Sequence, residues 1–383
     1  MSLAGFIVLV SACSGRGSNA SLNKQASVSN STTTTFARCT NASVISSWSL
    51  TRRAEQLIVV PVEETDVAGI APAVQDGVGG IILYGPNAPT DLASQLSTLK
   101  AHAPGGLKPI VMTDEEGGEV QRMANLVGSL PSAATMAVTM SVSQVQALAT
   151  STARAMAANG VTMDLAPVLD LAAGSGSVAH PTDGPRSFSI EPSVTTPYGI
   201  AFARGLRAGG VIPVVKDFPG EGSATANTDA GPASTPPIGQ LERADILPFE
   251  AAIKAGLPAV MVGNASVPGL TSRPASLSPS VIEGLLEHQL GFHGLVLTDA
   301  LSAGAITDLG LSLDQASVEA IAAGADMILY TSDNAVGDSQ AIAQALVAAV
   351  KGGTIPLVRI NDAVARVLAG KDISLCTTAA PPG

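Results

Sequence analysis

A chain of 383 residues is long enough for one barrel domain, and its 46% apolar and 13% charged residues exclude an intrinsically disordered protein. Its 20 basic and 31 acidic residues give a net charge of −11. This balance argues against nucleic acid as a partner, because phosphate binding requires clustered Lys and Arg.

The first thirteen residues, MSLAGFIVLVSAC, form a short apolar stretch that ends in Cys13. This pattern resembles a bacterial lipoprotein signal, although it has no basic residue before the apolar stretch. It predicts lipidation of Cys13 and an exported protein anchored to the outer face of the membrane. A buried strand or helix is the alternative interpretation. No later run reaches the roughly 18 apolar residues of a membrane span.

Residues 14–52 are rich in Ser, Thr and Asn and predict a tether, because they have too little apolar surface to offset the entropy of ordering. A barrel domain is predicted over 53–371 and a C-terminal tail over 372–383. Cys39 and Cys376 lie on either side of the barrel. In an exported protein they could form a disulfide, and two free thiols are the alternative.

Short apolar runs alternate with helix-length amphipathic stretches through the central region. The runs predict buried strands at 57–62, 79–85, 109–114, 161–171, 211–218, 259–265, 294–300 and 326–332. Helices are predicted at 142–159, 193–208, 312–323, 339–351 and 358–368. Eight strands joined by right-handed helical crossovers predict an α/β fold, a (β/α)8 TIM barrel with a single catalytic-type domain.

Polar residues recur where the predicted strands end. They are Asp114, Asp170, Lys216, Asn264 and Asp299. The carboxyl ends of barrel strands form the face where such folds carry their chemistry, so these side chains are expected to converge. For each one alone, a strand-end cap or a loop salt bridge is the alternative.

The segment KDFPGEGSATANTDAG, residues 216–231, follows the apolar run VIPVV and combines charged residues with glycines. It resembles the catalytic loop of glycoside hydrolase family 3, in the branch of bacterial β-N-acetylhexosaminidases that trim peptidoglycan. Three positions that are His in that branch are Asp217, Glu221 and Asp229 here. The Asp that pairs with the last His is Asn227 in this chain.

Three further segments carry the same resemblance, which covers roughly residues 53–371. PIVMTDEEGGEVQRM includes Asp114 and Arg122, and PRSFSIEP includes Arg186, all at positions that match substrate-binding residues of the family. The stretch GFHGLVLTDALSAGAI matches the segment with the catalytic nucleophile, which the resemblance assigns to Asp299.

The resemblance implies retaining hydrolysis of β-N-acetylglucosaminides, with Asp299 attacking the sugar and a second group protonating the leaving oxygen. Asp229 is the candidate acid, Glu221 the alternative, and Asn227 an orienting neighbour. The expected substrate-binding residues are Asp114, Arg122, Arg186, Lys216, Asp217 and Asn264. Because aromatic residues make up only 3% of the chain, sugar stacking is limited to three candidates, Tyr84, Phe218 and Tyr330.

Two functions remain open at this level. In the first, the chain hydrolyses a glycan or muropeptide that contains N-acetylglucosamine, best at low pH, because an aspartic acid in water keeps its proton less well than a histidine. In the second, it is a non-catalytic sugar-binding lipoprotein, since none of the four His, at 102, 180, 288 and 293, lies in the catalytic-loop motif 216–231. No cofactor or metal is predicted, and a monomer is expected.

Overall fold

The computed structural model describes residues 41–172 and 184–376. The predicted signal segment, most of the predicted tether, Cys13, Cys39 and His180 lie outside the described residues. No helix in the part of the chain that is described is long and apolar enough to cross a membrane.

Eight parallel strands form the centre of the fold. They are β1 (Val59–Glu63), β2 (Gly80–Tyr84), β3 (Ile110–Thr113), β4 (Met163–Asp164), β5 (Ile212–Phe218), β6 (Ala259–Val262), β7 (Leu295–Ala300) and β8 (Met327–Leu329). Each strand pairs with the next in chain order. The Ile328 N–H donates to the Leu57 carbonyl at 2.9 Å and links β8 back to the first strand. The predicted (β/α)8 barrel is confirmed.

Burial explains why these segments are strands. β3 and β6 are buried at every position, and β1 and β2 are buried at all but their last residue. Strands that are covered by barrel core on one face and helices on the other are continuously apolar. The runs therefore end where the chain reaches the rim, and polar residues begin there.

Helices surround the sheet. The α-helices are Asn41–Ile45, Leu50–Glu55, Ala71–Asp76, Leu92–Lys100, Ala124–Val127, Ala133–Thr139, Val142–Ala158, Pro192–Ala208, Ile238–Leu241, Ile246–Lys254, Gly304–Thr307, Leu313–Ala322, Ala335–Lys351 and Leu357–Gly370. A π-helix spans Ser280–Gln289, and 3₁₀ turns span Val67–Ile70, Pro104–Gly106, Gly184–Arg186 and Ala275–Leu277. The five predicted helices are present with small differences at their ends.

The boundary of the predicted tether at residue 52 is wrong. Residues 41–52 are mostly helical, and Ile45 and Trp48 are buried in the hydrophobic core. The Asn41 amide donates to the Ile373 carbonyl at 2.9 Å, and its Oδ1 accepts from the Leu375 N–H at 2.7 Å. Ile45 and Trp48 thus anchor this otherwise polar segment to the core, and Asn41 links it to the chain after the last helix. Cys376 is disulfide-bonded, and its partner lies outside the described residues, so the Cys39–Cys376 pairing stays a prediction.

Charged residues at the amino ends of the barrel strands stabilise the fold. Asp326, at the start of β8, is fully buried and accepts hydrogen bonds from Arg359 and Arg366 of the last helix. Its Oδ2 also accepts from the Val296 N–H at 3.0 Å. This network fixes the final helix against two strands. The N-terminal face of such barrels is the face where polar residues stabilise the fold.

Candidate active site

A cavity of about 150 Å³ opens at the carboxyl ends of the strands. Its polar lining contains most of the predicted site residues, namely Asp114, Arg186, Lys216, Asp217, Glu221, Asn227, Asp229 and Asp299. Residues that are far apart in the chain therefore meet at one place, as the strand-end pattern predicts. Arg122 and Asn264 are the two predicted site residues that do not line the cavity.

Lys216 is buried at the centre of a cluster of carboxylates. Its ammonium lies 2.7 Å from Asp114 Oδ1 and 2.7 Å from Glu116 Oε1. Burial alone would lower the pKa of Lys216, but these two carboxylates raise it above its ordinary value. The side chain is therefore a fixed cation, and a fixed cation is suited to donating charged hydrogen bonds.

Glu116 is the main residue that the sequence did not identify. Arg186 contacts it with two parallel bonds, Nε to Oε2 at 2.8 Å and Nη2 to Oε1 at 2.9 Å. Burial favours protonation of Glu116, yet the charges of Lys216 and Arg186 hold its pKa down at about 2. Glu116 thus orients both cations. The sequence signal that could have identified Glu116 is its position two residues after Asp114, because alternate residues of an extended segment lie on the same side.

Asp299 lies at the end of β7, and both of its carboxylate oxygens accept hydrogen bonds. The Ala300 N–H donates to Oδ1 at 2.7 Å, and the Asn264 amide donates to Oδ2 at 3.2 Å. Burial, with the negative charge of Asp229, raises the pKa of Asp299 to about 6. The Ala300 N–H and the charges of Lys216 and Arg186 oppose this shift without cancelling it.

The loop after β5 brings Asp229 to the cavity through a local turn. Asn227 Oδ1 accepts from the Asp229 N–H at 2.8 Å, an Asx turn that fixes the backbone between them. The loop is then held on the segment after β7. The Gly304 N–H donates to the Asp229 carbonyl at 3.0 Å, and the Ala305 N–H donates to the Thr228 carbonyl at 2.9 Å. Asp229 itself is exposed.

Glu221 differs from Asp229 in its surroundings. Its side chain is buried, and its Oε1 accepts from the Ala265 N–H at 2.6 Å, beyond the end of β6. A Cβ on Gly263 would lie 2.1 Å from the same oxygen, so Gly263 makes this close approach possible. One carboxylate oxygen of Glu221 therefore anchors the loop to the neighbouring strand.

The prediction of sugar stacking is wrong for two of the three candidate residues. Phe218 is fully buried and packs edge-on against Phe249, with ring centroids 5.3 Å apart. Tyr330 is also fully buried, and its hydroxyl donates to the Ala335 carbonyl at 2.7 Å. Both rings lie within the hydrophobic core. Tyr84, at the end of β2, does line the cavity.

Two predicted substrate contacts have other neighbours. Arg122 lies over the Tyr84 ring at 5.8 Å, and its nearest carboxylate oxygen on Asp114 is 3.9 Å away. Asn264 is buried behind Asp299, where its amide nitrogen contacts Asp299 and the Ala300 carbonyl. Asp217, by contrast, lines the cavity and lies 3.8 Å from the Arg186 guanidinium.

A second cavity of about 770 Å³ adjoins the first and shares Tyr84 with it. Its lining is polar, with two exposed carboxylates, Glu63 and Asp333, and the hydroxyls of Ser302, Thr331 and Ser332. Among the described residues, neither Lys nor Arg lines it. As for metals, no group of three His, Cys, Asp or Glu side chains within 41–172 and 184–376 is arranged to hold an ion.

Comparison with known families decides the classification. Residues 49–369 match the Glycosyl hydrolase family 3 N terminal domain. The chain belongs to glycosyl hydrolase family 3. The match begins within the N-terminal helices and ends within the last helix, so it includes all eight strands of the barrel and every residue of the cavity.

Named relatives within family 3 agree with this assignment. The chain is 36% identical over 323 residues to the Beta-hexosaminidase LpqI of Mycobacterium tuberculosis, covering 82% of this chain and 80% of that protein. Its fold superimposes on the structure of M. tuberculosis LpqI with a TM-score of 0.79 and 34% identity, covering 87% and 96% of the two chains. For the β-N-acetylhexosaminidase of Beutenbergia cavernae the TM-score is 0.78 and the identity 32%, with 85% and 99% covered.

Gly304 makes the docked position of the family 3 loop possible. A Cβ at this position would lie 2.6 Å from the Gly231 nitrogen and 2.9 Å from the Asp229 carbonyl, both of which are backbone atoms that no rotamer change can move. We expect Gly304→Ala to displace the loop. Hydrogen exchange measured by mass spectrometry should show exchange at residues 304 and 305 accelerated by about tenfold or more.

Gly284→Ala is the matched control, because the nearest atom to its added methyl group lies 3.8 Å away. It should leave exchange at residues 304 and 305 unchanged. Unaltered exchange in Gly304→Ala as well would contradict the role given to the two loop hydrogen bonds.

Proposed function

We propose that this chain is a retaining glycoside hydrolase that acts on β-N-acetylglucosaminides. The observation that carries the proposal is the position of Asp299, whose carboxylate lies at a cavity that also contains the Lys216 and Arg186 cations and the Asp114 carboxylate. The names of its relatives, Beta-hexosaminidase and β-N-acetylhexosaminidase, support the substrate class.

Asp299 is the nucleophile in this proposal. One of its oxygens forms a bond to the anomeric carbon while the bond from that carbon to the leaving oxygen breaks, which yields a covalent glycosyl-enzyme. Water then attacks the same carbon and releases Asp299. The pKa of about 6 means that Asp299 is ionised and able to attack at neutral pH.

Asp229 is the acid that protonates the leaving oxygen, and in the second step it removes the proton from the attacking water. The negative charge of Asp229 contributes to the raised pKa of Asp299, and this supports a location of Asp229 beside the bond that is cleaved. Glu221 is the weaker candidate, because its Oε1 already accepts the Ala265 N–H and holds the loop on the neighbouring strand. Asn227 supports the turn that presents Asp229.

Asp114, Lys216, Arg186 and Asp217 bind the sugar. Asp114 accepts hydrogen bonds from sugar hydroxyls, while the two cations donate to sugar oxygens with charge-assisted bonds. Because Glu116 holds Lys216 and Arg186 in place without a substrate, little ordering of the site is required on binding. The second cavity, which shares Tyr84, is the place we propose for the leaving group.

The pH dependence of hydrolysis tests the nucleophile. For 2,4-dinitrophenyl N-acetyl-β-glucosaminide, whose leaving group needs no protonation, kcat/KM should rise about tenfold per pH unit and level off above about pH 6. The rise follows from the sign of the shift, because raising the pH through about 6 converts Asp299 into its reactive carboxylate. A profile that stays flat from about pH 4 to about pH 8, at the level of Asp299→Asn, would refute the proposal.

The choice of leaving group tests the acid. Asp229→Asn should reduce kcat/KM for N,N′-diacetylchitobiose by about 10²-fold and change kcat/KM for the dinitrophenyl glycoside, which reports formation of the glycosyl-enzyme, by less than about threefold. Asn227→Asp combined with Asp229→His should increase chitobiose hydrolysis at neutral pH, since a histidine keeps its proton there. Equal losses on both substrates in Asp229→Asn would argue for a structural role instead.

One observation favours a second candidate function, a sugar-binding protein without turnover. Asp229 is exposed to solvent, and its neighbour Asn227 is a neutral amide. In that case N-acetylglucosamine should bind, by calorimetry, while no glycoside is hydrolysed at any pH. Absence of binding would exclude this second function.

The location and natural glycan are also proposals. The apolar N-terminal stretch that ends in Cys13 supports export and lipid anchoring at the cell envelope, with residues before the barrel as a tether. A muropeptide or another glycan that contains N-acetylglucosamine would then be within reach. We propose a monomer.

A further inference from the structure

Asn264 follows β6 and is only 1% exposed, yet its amide makes three hydrogen bonds. Its nitrogen donates to Asp299 Oδ2 at 3.2 Å and to the Ala300 carbonyl at 2.9 Å. Its oxygen accepts from the Ser276 hydroxyl at 2.6 Å. Both donors of the amide nitrogen are therefore occupied by protein, and none is left to donate to a sugar.

Partners on both sides fix the orientation of the Asn264 amide. The Asp299 carboxylate and the Ala300 carbonyl only accept hydrogen bonds, so the amide nitrogen faces them, and the Ser276 hydroxyl donates to the amide oxygen from the other side. Ser276 is fully buried, and its N–H donates to the Gly263 carbonyl at 3.0 Å. The Ala275 N–H similarly donates to the Ala265 carbonyl at 3.0 Å, so the turn with Ser276 is fixed on both sides of Asn264.

We propose that Ser276 and Asn264 form a relay that positions the nucleophile. Ser276 holds the Asn264 amide in place, and the amide donates to Asp299 Oδ2 and keeps the ionised carboxylate in the orientation required for attack. Asn264 is in this view a positioning residue and not a substrate contact. The catalytic part of the inference rests on the proposed function, and the geometric part does not.

The relay has a consequence for the titration of Asp299. A hydrogen bond to the ionised form lowers a carboxyl pKa, so removal of the Asn264 donor should raise it. Among the described residues, other charged or titratable groups act on Asp299 or line the same cavity, and substitution of Asn264 changes none of them: Asp229, Lys216, Arg186, Tyr84, Asp114, Asp217 and Glu221. A change in titration after substitution at position 264 therefore reports the lost donor.

Asn264→Ala tests the relay through a readout that needs no turnover. The Asp299 side-chain carboxyl, labelled with ¹³C and assigned by its absence in Asp299→Asn, should titrate about one pH unit higher in Asn264→Ala than in the wild type. In hydrolysis of the dinitrophenyl glycoside, kcat should fall about 10- to 100-fold with KM within about twofold, and the rising limb of the pH profile should move by the same pH interval.

Ser276→Ala removes one oxygen and is the variant that should fold without difficulty. It should shift the Asp299 titration in the same direction by a smaller amount, and kcat should fall about three- to tenfold. In the Asn264→Ala background, Ser276→Ala should cause almost no further change, because the relay is already broken. Ser317→Ala is the control, since Ser317 is also fully buried but its hydroxyl donates to the Leu313 carbonyl of its own helix and not to Asn264.

An unshifted Asp299 titration in both Asn264→Ala and Ser276→Ala would overturn the relay, even if the melting temperatures fell. Additive effects on kcat in the double variant would also overturn it. Failure of the proposed function is distinguishable, because the wild type would then hydrolyse neither glycoside while the titration experiment still gives its answer.

Discussion

Asp299→Asn should lower kcat for 4-nitrophenyl N-acetyl-β-glucosaminide by about 10⁴-fold or more, because an amide cannot form the glycosyl-enzyme bond. The variant should still bind N-acetylglucosamine, since the Asp114, Lys216 and Glu116 cluster does not depend on Asp299. Initial rates and calorimetry together measure both effects. Asp362→Asn, an exposed position on the last helix, is the control and should retain wild-type activity.

The same variant should be more stable than the wild type near neutral pH. The pKa of Asp299 is about 6 in the folded protein against an ordinary value of 3.8, so folding opposes its ionisation. The wild type should lose stability as the pH rises from about 4 to about 6, whereas Asp299→Asn avoids this loss, on the order of 3 kcal/mol. Urea unfolding at about pH 4 and at about pH 6 measures the difference. Equal stabilities of the wild type and Asp299→Asn at neutral pH would argue against a raised pKa of Asp299 in the folded protein.

Lys216→Met should have the largest effect on stability. The substitution keeps the length of the side chain but leaves the Asp114 and Glu116 carboxylates without their shared cation in a buried site. Loss of one partner from a buried ion pair costs about 3–5 kcal/mol, and the free energy of unfolding should fall by this amount. Sugar binding and kcat should be lost as well, because Lys216 lines the cavity.

Lys254→Met is the matched control for the Lys216 experiment. Lys254 pairs with Glu250 on an exposed helix surface, where such pairs contribute about 0.5 kcal/mol or less. The double variant Lys216→Met with Asp114→Asn should recover part of the lost stability but no activity, because it removes one of the unpaired carboxylates. A Lys216→Met protein as stable as the Lys254→Met protein would contradict the buried network.

The cluster around Lys216 illustrates how the barrel rim combines charge with burial. Three acidic groups and two basic groups meet within contact distance although they come from three separate segments of the chain, namely Asp114, Glu116, Asp217, Lys216 and Arg186. Because the positive charges are paired before a ligand enters, the site keeps its geometry without one. Preorganised charge of this kind is a major contribution to catalysis in enzymes.

The sequence by itself determined the barrel and the order of its catalytic segments. Continuous apolar runs such as 211–218 and 294–300 identify strands that are buried on both faces, and this is a local property of composition. Because parallel strands of a closed barrel all end at one rim, the runs also predicted that Asp114, Lys216 and Asp299 would meet. The contacts 2.7 Å from Lys216 confirm the meeting of the first two.

Only the tertiary structure decided what each polar side chain contacts. Asn264 ends a strand just as Asp299 does, yet its amide is occupied by Ser276, 12 residues away, and by Asp299, 35 residues away. Phe218 and Tyr330 likewise face the core, which no local pattern at a strand end reveals. The pKa of Asp299 depends on burial and on Asp229 from another loop. Electrostatic energies and hydrogen bonds depend on distances in space, and the fold sets those distances between residues that the sequence keeps far apart.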